Sequence, residues 1–468
     1  MTADAIALDS MRGFSTSMNP ATDEEIARFP WHRPAEREAV VAAAWQGYQA
    51  WREQSVEARA NKLSVVAERL RDRSERLARC ITQEMGKPIT AARAEVLKCS
   101  KLCDWYSEHA AEMLREEYVD VGSDGEARIA HLPLGPVLAI MPWNFPLWQV
   151  LRAAVPIIVA GNSFVLKHAD NVQGSAFALA EVFADAGLPD GVFSVLNVSR
   201  AVLPALIADR RIAAVTVTAG VAAGAAVASE AGQHLKKAVL ELGGSDPFIV
   251  LADADLDRAV NTAIQARFQN AGQVCIAAKR IIVERSIANA FTERFVAAAA
   301  ELVAGDPMDE ATQLGPLARR RLRSELHELV QQSLAQGAKL LLGGTIPDGP
   351  GAFYPPTVLV DVTSTMAVCR EETFGPVACI MTADDADDAV RIANESEFGL
   401  SGAIWSADET RAGQLARRVE TGGVFVNGMS TSDPRVPIGG IKKSGYGREL
   451  SYFGIREFCN AQLLWQRP

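Results

Sequence analysis

Long apolar runs are missing from this sequence. Its richest apolar stretch, AAVPIIVAG, is too short for a bilayer, which takes about 20 apolar residues in a helix. The segment MTADAIALDSMRG at the amino terminus has neither the basic start nor the apolar run of a signal peptide. We therefore expect a soluble protein with no membrane partner.

Excess positive charge and paired cysteines are missing as well. The 47 lysines and arginines are outnumbered by 57 acidic residues, giving a net charge of −10, whereas a nucleic-acid partner needs clustered cations. The seven cysteines are scattered and form no CxxC pair, which argues against a disulfide framework and a structural zinc site. We predict reduced thiols, a cytoplasmic location, no metal and no nucleic-acid partner.

The length of 468 residues exceeds the ceiling of about 250–300 residues for one core, so we expect two or three domains. Residues 34–115 have the pattern of long amphipathic helices, punctuated by Gly86 and Pro88. Two later series of short apolar runs alternate with helical patterns, which indicates an α/β fold with parallel sheets. Gly243 and Gly244 are a plausible hinge between the two series.

Two further segments look like short strands outside both series. They are residues 118–133, YVDVGSDGEARIAHLP, and the tail FCNAQLLWQRP. Because exposed strand edges are liabilities unless they are paired, we predict that these strands pair across a subunit boundary.

The usual nucleotide-binding signatures, GxGxxG and GxxxxGK[ST], are absent. Ligands of parallel sheets nevertheless bind at the carboxyl ends of strands, where Asn144, Lys167 and Gly220 are expected. Gly220 precedes the Gly/Ala-rich stretch VAAGAAVASEAG, whose helix amino terminus would suit a pyrophosphate, and Lys167 could reach a ribose or phosphate.

Three side chains are candidates for chemistry. Cys275, in QNAGQVCIAAKR, is either a core thiol or a nucleophile whose thiolate is favoured by the nearby cations Lys279 and Arg280. Glu241, in LELGGSDP, is either a solvated glutamate at a turn or a buried base with a raised pKa. Asn144, in MPWNFPLW, either caps the following helix or donates to an oxyanion. From the residues alone, the sequence indicates a two-domain α/β enzyme with a candidate thiol nucleophile.

Six ordered motifs now reveal a family resemblance that covers almost the whole chain. They are MPWNFPLW, SFVLKHAD, LELGGSDP, NAGQVCIAAKR, EETFGPV and GGIKKSGYGREL. The sequence resembles the NAD(P)-dependent aldehyde dehydrogenase superfamily and, more narrowly, the short bacterial succinate-semialdehyde dehydrogenases. The resemblance implies an aldehyde substrate, NAD as cofactor with NADP possible, and a homodimer or homotetramer.

The same resemblance implies two doubly wound α/β domains and a small β oligomerisation arm. The cofactor-binding domain is expected at 1–117 and 134–241, and the catalytic domain at 242–437. The arm is expected at 118–133 and 454–468.

The family mechanism assigns roles to the three candidates. Cys275 would attack the aldehyde to give a thiohemiacetal, while the Asn144 amide and the Cys275 backbone N–H hold the oxyanion. Glu241 would then activate water to hydrolyse the thioester. A second glutamate sometimes found near GREL is expected to be absent, with Tyr452 near its place.

The resemblance also implies cofactor-binding residues. Lys167 would bind the adenine ribose, Glu372 the nicotinamide ribose, and Phe374 would pack near the nicotinamide end. The full expected set is Trp143, Lys167, Ala169, Asp170, Ala219, Gly220, Glu372 and Phe374.

Three residues in that set depart from common family patterns. Ala219-Gly220 stands where the family usually has Gly-Ser, so a hydroxyl for the pyrophosphate is missing, a loss of about 0.5–1.5 kcal/mol. Asp170 would accept from a ribose 2′-hydroxyl and repel a 2′-phosphate, which favours NAD over NADP.

The expected substrate pocket must recognise a carboxylate. Arg152 resembles the carboxylate-binding arginine of succinate-semialdehyde enzymes, although it could instead pair with an acidic neighbour. Ser432 and Trp148 would add to the pocket, and Gln269 stands where some members have a second arginine. Two alternatives remain: a thiol hydrolase or esterase that uses Cys275 and Glu241 without redox chemistry, and a non-catalytic protein with the same fold.

Overall fold

Four helices form the amino-terminal layer of the computed structural model, which describes residues 13–468. They are Pro34–Trp51 (α1), Val56–Asp72 (α2), Ser74–Met85 (α3) and Ile89–Met113 (α4), and they follow the antiparallel strands Phe14–Met18 (β1) and Glu25–Pro30 (β2). As the sequence predicts, α3 ends at Gly86, whose φ of 80° lies in the left-handed region that favours glycine. The α2 and α4 helices pack side by side, and Leu63 and Val96 join the core below the first sheet.

The first lobe is a six-stranded sheet with its covering helices. In spatial order its strands are Gly445–Tyr446 (β19), Lys237–Glu241 (β9), Ala214–Thr218 (β8), Val137–Met141 (β5), Phe164–His168 (β6) and Phe193–Val195 (β7). Its helices are Trp148–Val159 (α5), Gln173–Asp185 (α6), Leu203–Ala208 (α7) and Val221–Gln233 (α8). All neighbouring strands run parallel except β19, which is antiparallel to β9. The β6 and β8 strands, FVLKH and AVTVT, are buried throughout, and three of the five residues in each are apolar, as expected for strands covered on both faces.

The second lobe is a seven-stranded sheet with its own helices. In spatial order its strands are Lys339–Leu342 (β12), Thr357–Val360 (β13), Val377–Ala383 (β14), Ala278–Glu284 (β11), Asp246–Val250 (β10), Gly402–Trp405 (β16) and Val424–Val426 (β17). Its helices are Leu256–Phe268 (α9), Ala288–Ala300 (α10), Arg320–Ala335 (α11), Ala367–Arg370 (α12), Ala386–Asn394 (α13) and Glu409–Ala416 (α14). Only β12, beside β13, runs antiparallel to its neighbour. A separate apolar core lies around this sheet.

The two segments outside both series form one small sheet within the chain. Its strands are Glu117–Val119 (β3), Glu126–Pro133 (β4) and Cys459–Gln466 (β20), with β4 in the centre and both neighbours antiparallel to it. The prediction that these strands pair across a subunit boundary is therefore wrong for the edges of β4, which β3 and β20 of the same chain occupy, and it stays a prediction for the outer edges of β3 and β20. The apolar side chains of Tyr118 and Leu463 on this sheet are exposed.

The segment after the second sheet returns to the first lobe. Ile441–Lys442 (β18) pairs with Phe398–Gly399 (β15) of the second lobe, and Gly445 then pairs with Glu241 at the edge of the first sheet. The helix Ser451–Glu457 (α15) follows and packs against α5. Within residues 13–468, every helix is too short or too polar to cross a membrane.

Candidate active site

Asn144 and the loop that carries Cys275 meet between the two lobes. Asn144 follows β5, and Cys275 lies between α9 and β11. The Asn144 amide donates to the Gln273 carbonyl at 3.0 Å, and the Asn270 amide donates to the Asn144 carbonyl at 2.8 Å. These hydrogen bonds hold the thiol loop against the end of β5.

The loop before Cys275 has an unusual backbone. Asn270 and Ala271 both have a φ of 53°, and Gly272 has a φ of 70°. A Cβ on Gly272 would lie 2.3 Å from the Gly375 carbonyl oxygen, so only glycine fits there. On the other side of Cys275, the Lys279 ammonium donates to the carbonyls of Val274 and Cys275 at 2.9 and 2.6 Å.

Burial and the neighbouring cations act in opposite directions on the pKa of the Cys275 thiol. Burial raises its pKa to about 11, while Arg152 and Lys279 lower it and Glu241 raises it further. The side chain keeps partial exposure, so a small molecule can reach it. The predicted role of Arg280 beside the thiol is wrong, because its guanidinium donates to the carbonyls of Ser245, Ile392 and Ala393.

Glu241 is buried, with only 2% of its surface exposed. No side chain or backbone group of residues 13–468 donates a hydrogen bond to either of its oxygens. Burial raises its pKa to about 8, an effect that Arg152 reduces and Glu449 increases. The alternative of a solvated turn glutamate is excluded, and a carboxyl with this pKa can accept and return protons near neutral pH.

Arg152 lies between Glu241 and a second buried carboxyl, Glu449. Its Nη2 atom is 3.6 Å from Glu241, and its Nε donates a short hydrogen bond to Glu449. Burial lowers the pKa of Arg152, but the two carboxylates outweigh burial and raise it overall, while burial raises the pKa of Glu449. The prediction that a glutamate near GREL is absent is wrong: Glu449 is that glutamate, and Tyr452 is exposed.

A small pocket of about 80 Å3 lies beside Cys275. The four residues predicted to bind the substrate all line it, namely Trp148, Arg152, Gln269 and Ser432. Lys98 of α4 lines the same pocket and was not singled out from the sequence, because nothing in EVLKCSKLC distinguishes it from a surface lysine.

The amino terminus of α5 supports this pocket. Glu95 accepts hydrogen bonds from the backbone N–H groups of Leu147 and Trp148 at 2.9 and 3.0 Å, so it caps the helix. Glu95 also forms a buried ion pair with Lys87, whose ammonium lies 3.6 Å from the centre of the Phe145 ring. The helix-capping alternative for Asn144 is therefore excluded, since Glu95 has that role.

The carboxyl edge of the first sheet has donors and space for a dinucleotide. The Lys167 ammonium donates to Asp170 at 2.7 Å, just past β6. Ala219 and Gly220 connect β8 to α8, which lacks a side-chain cap, and a Cβ on Gly220 would meet nothing within 4 Å. The free N–H groups of a helix amino terminus facing open space suit a pyrophosphate. Ala169 lies between Lys167 and Asp170, where its side chain is partly buried.

The Glu372 side chain packs against Gly243 and Gly244, between the two lobes. Its Oε1 accepts a hydrogen bond from Gly244 N–H and forms an ion pair with the Lys279 ammonium, each at 3.1 Å. A Cβ on Gly243 would lie 2.3 Å from its Oε2, so the glycine at this position makes room for the carboxylate. Phe374, two residues on, packs edge to face against Trp143 at 5.6 Å between ring centres. Carboxylate, ammonium and aromatic groups thus line the cleft in a set that fits a nicotinamide ribose.

The chain is similar to known proteins over almost its whole length. The model of the aldehyde dehydrogenase family matches residues 9–464. A succinate semialdehyde dehydrogenase of Escherichia coli strain K12, named for NAD(P)+, is 57% identical over 96% of this chain and 97% of its own length. An NADP+ succinate-semialdehyde dehydrogenase of Mycolicibacterium paratuberculosis is 46% identical, with 96% of each chain covered. The crystal structure of a succinic semialdehyde dehydrogenase from Streptococcus pyogenes with NADP+ superimposes with a TM-score of 0.95, at 36% identity over 97% of this chain and 100% of the other.

Proposed function

Because this chain belongs to the aldehyde dehydrogenase family, we propose that it oxidises succinate semialdehyde to succinate with NAD(P)+. The observation that carries the choice of substrate is the small pocket beside Cys275, into which Arg152 and Lys98 bring positive charge. A pocket of this size and charge favours a short aldehyde that bears a carboxylate. The hydrolase and non-catalytic alternatives have no support from the comparisons.

The first step is attack by sulfur on the aldehyde carbon. Glu241, in its deprotonated form, accepts the thiol proton as the sulfur attacks. The C–S bond forms as the carbonyl π electrons move to oxygen. The Asn144 amide and the Cys275 backbone N–H donate to this oxyanion, and such donors are each worth about 10²–10³ in rate.

The second step is oxidation of the thiohemiacetal. When bound, NAD(P)+ accepts the hydride that the thiohemiacetal carbon loses as it becomes a thioester. Lys167, Asp170, Gly220 and Glu372 would hold the cofactor, and Trp143 and Phe374 would line its nicotinamide end. Ala169 and Ala219 lie beside these residues in the chain.

The third step is hydrolysis of the thioester. Once Glu241 has passed the thiol proton to solvent, it removes a proton from water, and the hydroxide attacks the acyl carbon. The C–S bond then breaks to release the acid and the Cys275 thiolate, to which Glu241 can return its proton. The lack of hydrogen-bond partners at the Glu241 oxygens leaves both of them able to accept from water. One carboxyl therefore serves both proton transfers.

Asp170 also bears on the choice between NAD and NADP. Its carboxylate pairs with the Lys167 ammonium at 2.7 Å, which offsets its charge and weakens its repulsion of a 2′-phosphate. We propose that NAD is preferred and that NADP is also used.

The domain assignment and the assembly are further proposals. We assign cofactor binding to residues 1–117 and 134–241, catalysis to 242–437, and assembly into a homodimer or homotetramer to the arm at 118–133 and 454–468. The exposed Tyr118, Leu463 and Trp465 support the assembly, because apolar patches of this kind mark interfaces. The seven cysteines are all free, which supports a cytoplasmic location.

Absorbance growth at 340 nm with succinate semialdehyde and NAD tests the function directly. Cys275→Ala is expected to abolish the signal, because the C–S bond cannot form. Arg152→Gln is expected to lower kcat/KM by about 10- to 150-fold, the range for a charged hydrogen bond, for both succinate semialdehyde and butanal, because Arg152 pairs with the base Glu241 and with Glu449. Absence of any signal from the wild type with either cofactor would overturn the proposal.

A further inference from the structure

We propose that Lys98 is the cation that selects an anionic aldehyde in this enzyme, binding the substrate carboxylate together with the Ser432 hydroxyl. This inference rests on the proposed function and names a specificity residue for it. It comes from the charges and hydrogen bonds around the pocket beside Cys275.

Two cations line that pocket, and they differ in how their charge is balanced. Arg152 faces two buried carboxyls, Glu241 at 3.6 Å and Glu449 in a hydrogen bond. Lys98 forms no ion pair with any of residues 13–468, and its neighbours in the pocket are Trp148 and Ser432. The uncompensated positive charge of the pocket is therefore on Lys98.

The Lys98 ammonium is held in a defined position. It lies 4.0 Å from the centre of the Trp148 ring and donates to the Ser432 hydroxyl oxygen at 3.0 Å. An ammonium has three N–H donors, so two remain for a ligand. A half-buried cation without a carboxylate partner is costly unless a ligand supplies the missing anion.

The Ser432 hydroxyl is oriented by the same contacts. Its oxygen accepts from Lys98 and also from the indole N–H of Trp148, each at 3.0 Å. A hydroxyl oxygen has two lone pairs and one proton, so with both lone pairs occupied it can only donate further. Lys98 and Ser432 thus present N–H and O–H donors together, and a carboxylate can accept from both.

Burial and the acidic and basic groups around Lys98 set its pKa. Burial lowers the pKa of Lys98 to about 8, Arg152 lowers it further, and Cys99, Glu95 and Asp433 raise it. Lys98 is therefore mostly protonated at pH 7 and loses its charge as the pH rises through about 8. Recognition of a carboxylate by this residue is expected to weaken over the same pH range.

The test compares two four-carbon aldehydes, succinate semialdehyde and butanal, on the purified full-length enzyme. Lys98→Met keeps the side-chain length against Trp148 but removes the charge. It is expected to raise KM for succinate semialdehyde about 10- to 100-fold, with kcat and the butanal kinetics nearly unchanged. Lys98→Arg is expected to restore most of the preference. Lys101→Met, on an exposed position of the same helix, is the matched control and should change neither substrate.

The possible outcomes separate the two proposals. If the wild type oxidises succinate semialdehyde and Lys98→Met keeps the ratio of kcat/KM for the two aldehydes, Lys98 is not the selecting cation, although the proposed function stands. If the wild type oxidises butanal but not succinate semialdehyde, the proposed substrate fails as well.

The wild type alone provides a second measurement should the Lys98 variants fail to fold. The preference for succinate semialdehyde over butanal should fall between pH 7 and pH 9, because Lys98 loses its proton there. Both aldehydes need Glu241, so its titration cancels in the ratio. A ratio that is constant over this range would overturn the proposal.

Discussion

At the scale of single residues, the carboxyl of Glu241 determines how the reaction depends on pH. Burial raises its pKa to about 8, and the base must be deprotonated to accept a proton. We therefore expect kcat to rise with pH up to an inflection near pH 8. In Glu241→Gln this inflection should disappear, and both the first formation of NADH and the steady turnover should slow, because the same carboxyl takes the proton of the thiol and that of water. Rapid-mixing absorbance at 340 nm measures both; steady turnover by Glu241→Gln at the wild-type rate would contradict the assignment.

The sequence predicted some residues of the site and missed others. Cys275, Glu241 and Asn144 could be found because each lies in a motif and at the end of a strand or on a loop. Glu95 and Lys98 could not, since their contacts join residues more than 50 positions apart: Leu147 with Glu95, and Lys98 with Ser432. Glu449 lies in the motif GREL, but its contact with Arg152, 297 positions earlier, cannot be seen in that motif. Such contacts depend on tertiary packing, which a local pattern does not contain.

At the scale of secondary-structure elements, the amino terminus of α8 offers a second prediction. Gly220 has a φ of −69° and a ψ of 156°, a conformation open to any residue, and a Cβ there meets no atom within 4 Å. Gly220→Ser should therefore fit and add a hydroxyl next to the predicted pyrophosphate site. We expect the dissociation constant for NAD to fall by about 3- to 10-fold, in line with about 0.5–1.5 kcal/mol for one hydrogen bond.

Gly220→Ala is the matched control for this change. It adds the same Cβ without a hydroxyl, so any effect of reduced backbone freedom appears in both variants. Fluorescence titration with NAD compares the three proteins. Equal affinities for the serine and alanine variants would show that the hydroxyl does not reach the cofactor.

The elements themselves followed from the sequence because their patterns are local. Buried parallel strands such as β6 and β8 contain short apolar runs, and Gly86 marks the end of α3. The pairing of β4 was predicted wrongly, since its neighbours are β3 and β20 of its own chain. Pairing by the outer edges of β3 and β20 across a subunit boundary stays a prediction. The order of strands in space depends on loops that the pattern does not describe.

At the scale of the whole molecule, the three-stranded arm is expected to hold subunits together. Leu463 is 56% exposed on β20, at an outer edge of that sheet. Leu463→Asp should place a charge in the proposed interface and shift the protein toward monomers. Light scattering after size-exclusion chromatography measures the mass. Leu235→Asp, at a 95% exposed leucine outside the arm, is the control and should keep the wild-type mass.

The position of the antiparallel strand β19 late in the chain affects when the active site can form during translation. Gly445 aligns with Glu241, and Glu449 follows a few residues later beside Arg152. A ribosome-bound chain that includes Cys275 but ends before residue 445 therefore has the nucleophile. It does not yet have the strand β19 beside Glu241 or the carboxyl of Glu449 beside Arg152. Catalytic competence therefore arrives late in translation, so nascent intermediates are expected to be inert toward aldehydes.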